Sequence, residues 1–193
     1  MNPVALCIAA YVFLGLEAAL RGPLALGNTA ATPSFMMILM VFLAIHGQAR
    51  MVPWLCMALG LAVDLIGSRP VNGGEVLVTI IGPNALGYFA AGHLVLALRG
   101  IMLRRNPVAF FFLCCCGAAM SQLVIVVVLT CRSAVDSSLE WSPLAELFAR
   151  LGGSLYTGIV SILIGPILHA ASGLMGITEG YNRRDSRRVM RRM

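Results

Sequence analysis

Lysine is missing from this chain: all 14 basic residues among its 193 are arginine. Charge of either sign is scarce, at 11% of residues, where an ordinary soluble domain carries about 25%. Hydrophobic residues make up 59%, and mean hydropathy is +0.88. So few charges cannot clothe a water-facing surface, so most of the surface must face lipid. The motifs of common chemistry are missing too. There is no CxxC and no HExxH, which argues against a metal centre. Neither a glycine-rich phosphate loop nor a nucleophile elbow is present. No catalytic, cofactor-binding or metal-binding residue is therefore expected. The six cysteines, Cys7, Cys56, Cys114, Cys115, Cys116 and Cys131, lie in apolar runs or at the end of one. Three in a row on a helix point in three directions, so Cys114 to Cys116 read as small apolar packers.

What is present is a series of long apolar stretches. Val108 to Thr130 and Val76 to Ala97 contain no acid or arginine. Each is long enough as a helix to cross a hydrocarbon core of about 30 Å. The pattern predicts an all-α integral membrane protein, a polytopic bundle of about six transmembrane helices. They are expected at about 3–20, 33–45, 51–66, 75–98, 108–130 and 147–175. The first reads as a retained anchor, because it lacks a basic start, carries Glu17 and shows no clear cleavage site. The second is short enough to thin the bilayer locally. Pro83 should kink or break the fourth, and Pro166 should bend the sixth. Residues 1–176 form one membrane domain; 177–193 form an arginine-rich tail.

Arginine placement orients the chain. With both termini in the cytoplasm, Arg50, Arg99, Arg104, Arg105 and six tail arginines lie inside. Arg21, Arg69, Arg132 and Arg150 then lie outside, near most of the acids. That excess follows the positive-inside rule and implies an even number of crossings. The tail residues Arg183, Arg184, Arg187, Arg188, Arg191 and Arg192 follow a hydrophobic helix, so anionic lipid is their expected partner rather than nucleic acid.

Asp64 is the most informative single residue. A carboxylate at the centre of a membrane helix costs about 2.5–3.5 kcal/mol on insertion scales, so it needs a partner, a pathway or a cavity. A proton pathway would need several ionisable groups in series. Glu17, His93 and His169 are too scattered for that, so Asp64 reads as a structural or assembly group at a helix end. It would bond loop backbone or pair with Arg69. Glu17 stands four residues before Arg21, a spacing that suits a helical ion pair. In the sixth segment Ser154, Gly158, Ser161, Gly165, Ser172 and Gly176 recur near one face. Small residues let membrane helices approach closely, so Gly158, Ser161 and Gly165 mark a packing seam. Gly117 and Ser121 form a shorter one in the fifth.

Two stretches resemble a known family. One is Pro33 followed by an apolar run to His46. The other is a glycine-bearing apolar helix with Gly60, ending in Asp64-Leu-Ile-Gly67, then a polar turn to Gly73. Together they are similar to the signature of the rod shape-determining protein MreD family, as is the last helix with Pro166 in mid-span. The specific part covers Pro33 to Gly92, and the signature positions are Pro33, Gly60, Asp64, Gly67 and Gly73. The turn from Pro70 to Gly74 and the cysteine-rich fifth helix depart from the family pattern.

The resemblance implies a non-catalytic subunit of the rod complex, or elongasome, in the bacterial cytoplasmic (inner) membrane. Its expected partners are an MreC-like protein, an MreB-like actin, a SEDS glycosyltransferase and a class B transpeptidase, all serving sidewall peptidoglycan synthesis and cell shape. The family is also similar in fold to S-components of energy-coupling-factor transporters. The alternative is therefore a substrate-binding membrane subunit of such a transporter. That function would need a roomy pocket with convergent polar and aromatic groups, and the short outer loops supply few aromatics apart from Trp141.

Overall fold

The computed structural model describes residues 2–20, 22–25, 32–71, 76–79, 81–100, 107–135 and 143–173. Its elements are α1 (Pro3–Leu20), α2 (Phe35–His46), α3 (Val52–Ile66), β1 (Ser68–Val71), β2 (Val76–Thr79), α4 (Pro83–Leu98), α5 (Pro107–Val135) and α6 (Pro143–Ala171). Among the described residues the protein is thus a six-helix bundle with one two-stranded hairpin. The strands pair antiparallel, with Ser68 opposite Thr79 and Val71 opposite Val76.

The outside of the bundle is apolar. Tyr11, Trp54, Phe148, Leu163 and Ile167 are each at least two-thirds exposed, whereas Asp64, Ser121, Ser154, Thr157 and Ser161 are buried. This inverts the usual soluble arrangement and suits a lipid solvent. Pro3–Leu20, Pro107–Ala134 and Leu147–Ala171 are long and apolar enough to cross a membrane. The chain is a membrane protein by these criteria.

The centre of the bundle is α2. Every residue from Phe35 to Ile45 is buried, and each of the other five helices touches it. The segment expected at 33–45 is therefore not a thin span meeting lipid. At 12 residues it is only about 18 Å long, and it is wrapped by protein. Its depth can be fixed against α6. The Ser34 amide donates to Thr157 Oγ1, while the His46 ring stacks edge-on against His169 at 5.2 Å between centroids. The two helices therefore run side by side in the same direction. Thr157 is the middle residue of α6, so α2 begins halfway along its neighbour, inside the bundle.

The fourth segment differs most from the sequence expectation of a helix over 75–98. The helix begins at Pro83, and Val76–Thr79 is a strand. Proline at the first helical position loses no intrahelical bond, so Pro83 starts this helix instead of kinking it. Gly82 just before it has φ +121°, a conformation that favours glycine. The β-branched Val76, Val78 and Thr79 favour extended backbone. The fifth and sixth helices extend beyond their expected bounds of 108–130 and 147–175, to Val135 and back to Pro143; α6 stops at Ala171. Pro166 lies inside α6. The proposed tail 177–193 and the domain boundary at 176 lie outside the described residues.

Candidate functional site

A helix that starts inside a membrane bundle exposes unpaired backbone N–H groups where water cannot reach them. Two helices here raise that problem, and each solves it with a carboxylate from the preceding helix.

At α4 the N-cap is Gly82, which has no side chain to accept a bond. Asp64, near the end of α3 and 2% exposed, takes that place. Its Oδ2 accepts from the amides of Gly82 at 2.9 Å and Ala85 at 3.1 Å. Its Oδ1 accepts from the Asn84 amide at 3.2 Å and from Asn84 Nδ2 at 2.8 Å. Four donors thus converge on one carboxylate at the positive end of a helix dipole, an arrangement that stabilises negative charge.

Gly60 makes the approach possible. It lies one helical turn before Asp64 on the same face of α3. A Cβ there would lie 2.5 Å from the Asn84 carbonyl oxygen and 2.7 Å from Ala85 Cα. Gly60 and Asp64 are therefore two halves of one contact. Glycine lets the α4 backbone in, and aspartate bonds it. Gly67 ends α3, its amide donating to the Val63 carbonyl. Gly73 lies outside the described residues.

At α2 the N-cap is Ser34, following the buried Pro33. Ser34 Oγ accepts from the Met37 amide at 3.3 Å, and Glu17 Oε2 of α1 accepts from the Met36 amide at 2.8 Å. Ser34 Oγ also lies 3.2 Å from both Glu17 oxygens and 3.1 Å from Tyr88 Oη. A hydroxyl has one proton. If Ser34 donates it to the carboxylate, Tyr88 is left to donate to Ser34. With Thr157 holding the Ser34 amide, residues from α1, α2, α4 and α6 meet at one point. Glu17 is thus placed on another helix's start; Arg21, its expected partner, lies outside the described residues.

The opposite end of α2 has the complementary charge. Arg99 Nη1 donates to the carbonyls of Ala44 and Gly47, both at 2.9 Å. A carboxylate at its N-terminus and a guanidinium at its C-terminus both favour the α2 dipole.

No family model, curated protein or solved structure matches this chain.

The small residues of α6 face α5. A Cβ on Gly158 would collide with Cys115 Sγ and approach Phe111, and one on Gly165 would lie 3.1 Å from Phe110. Ser161 is wholly buried between them and donates to the Gly158 carbonyl at 2.6 Å. The α5 positions are used elsewhere: Gly117 faces Val41 and Val95, and Ser121 abuts Gly87. Gly158→Leu should force α5 and α6 apart and cost about 1–3 kcal/mol, the usual range for overpacking. A lowered melting temperature in detergent checks this; a wild-type melt would mean the seam yields without loss.

The remaining candidates do not converge. His93 is exposed, with Nδ1 3.0 Å from the Phe89 carbonyl oxygen. His169 sits among Phe42, His46 and Phe110. Among the described residues no three His, Cys, Asp or Glu side chains gather as a metal site would require. The tail arginines Arg183 to Arg192 lie outside the described residues. Sequence reasoning missed Ser34, Asn84, Tyr88, Arg99 and Thr157. Ser34 alone carried a local signal, a serine directly before an apolar helix.

Proposed function

We propose that this chain is a non-catalytic assembly subunit of the bacterial inner membrane. Its place would be in the rod complex, beside an MreC-like protein, an MreB-like actin, a SEDS glycosyltransferase and a class B transpeptidase. One observation carries the scaffold reading: Glu17 and Asp64, the carboxylates whose side chains are described, are both engaged in starting the chain's own helices. In transporters, the N-termini of interrupted helices face anionic groups of the substrate. Here the chain's own acids fill both positions, which favours a fixed framework over a carrier. The choice of complex rests on the resemblance around Pro33, Gly60, Asp64 and Gly67. The arginine excess on one side supports cytoplasmic termini, with the tail on anionic lipid.

The test is copurification. The intact chain, extracted in mild detergent from cells that also make an MreC-like protein, should retain that partner. Loss of the partner with saturable binding of a small solute would support the transporter alternative instead.

A further inference from the structure

The two capping carboxylates differ in what carries them. Asp64 sits on α3, which buries Val52, Cys56, Leu59, Gly60 and Val63 and is locked to α4 by backbone contact at Gly60. Glu17 sits on α1, which has no buried residue along its whole length. Leu6, Ala9, Ala10, Phe13 and Leu14 pack against the core but are only partly buried. The groups that receive Glu17 belong to α2, and they are held in place by other helices. Thr157 of α6 holds the Ser34 amide, and Tyr88 of α4 bonds Ser34 Oγ. Thr157 and Tyr88 are 2% and 3% exposed.

We propose that α1 is a releasable helix, held on the bundle by a carboxylate latch. Glu17 seats in a receiving site that α2, α4 and α6 build without it. Release of the latch lets α1 lift and uncovers the flank of α2 beneath Leu6, Phe13 and Leu14. The other helices, including the Asp64-capped α4, keep their places. This device concerns the purified chain alone, so its test does not depend on the assembly reading above.

Hydrogen exchange read by mass spectrometry on the full chain in detergent tests it. In Glu17→Ala, amides of α1 and of the first turn of α2 should exchange about tenfold faster or more, as expected when a charged cap is lost and a local unit opens. The first turn of α4 should exchange as in the wild type. Formate then serves as a probe. It should slow the first turn of α2 again while α1 stays fast, because the small anion fills the site without tethering the helix. Glu17→Gln keeps the side-chain size and should release α1 to a lesser degree. Unchanged exchange in α1 overturns the latch. So does faster exchange spread over all six helices in both variants, because Glu17 would then hold the whole fold. Failure of formate to protect α2 also overturns it, because the site would not exist without α1.

Discussion

Asp64→Leu should lower the stability of the bundle by about 3–5 kcal/mol. The substitution removes the acceptor for the amides of Gly82, Asn84 and Ala85 and for the Asn84 side chain. Each buried donor left without a partner costs about 1–3 kcal/mol. Leucine itself is welcome in an apolar helix, so membrane insertion should be normal and the loss should appear afterwards. Asp64→Asn keeps one acceptor oxygen and should lose less. Detergent-resistant folding is one readout, and recovery of the proposed MreC-like partner is the other. Normal values of both in Asp64→Leu would remove the carboxylate from the architecture altogether.

Gly60→Ala is the second large effect, produced by one methyl group. The new Cβ would meet backbone atoms of Asn84 and Ala85 between 2.5 and 2.9 Å away. Backbone cannot rotate aside as a side chain can, so the start of α4 must move. Movement sufficient to relieve the overlap also lengthens the bonds to Asp64, so the loss should reach about 3 kcal/mol, the upper part of the range for overpacking. Because both residues serve one contact, Gly60→Ala combined with Asp64→Leu should cost clearly less than the two added together. Additive losses in thermal unfolding would show that the two positions act separately.

How far the sequence disclosed this arrangement depended on distance along the chain. Asp64 is conspicuous because a charge interrupts an apolar run. Its expected partners are loop backbone or Arg69, whereas the amides it accepts from belong to the start of α4, and the Arg69 side chain lies outside the described residues. The partners of Asp64 lie 18 to 21 residues on, beyond any local pattern. Local spacing pairs Glu17 with Arg21, which lies outside the described residues; the bonds the structure describes cross to Ser34 and Met36, beyond the reach of any local pattern. Hydropathy merged Val76–Thr79 with α4, since an apolar strand and an apolar helix look alike in a short window. It also gave α2 the status of a span, because composition reports that a segment is apolar and not what surrounds it. The small-residue stripe of α6 was legible, since spacing alone puts Gly158, Ser161 and Gly165 near one face, but which helix they met was not.

The enclosure of α2 bears on how the protein is made. A 12-residue helix is well short of the roughly 20 residues that the translocation machinery partitions readily as an independent stretch. Its N-cap and first-turn amides find acceptors on α6 and α1, and its last turn finds Arg99, the residue that follows α4. Glu17 precedes α2 in the chain, but Thr157 and Arg99 exist only after later parts of the polypeptide have emerged. Biogenesis must therefore seat the centre of the molecule late, as a keystone lowered between walls already standing.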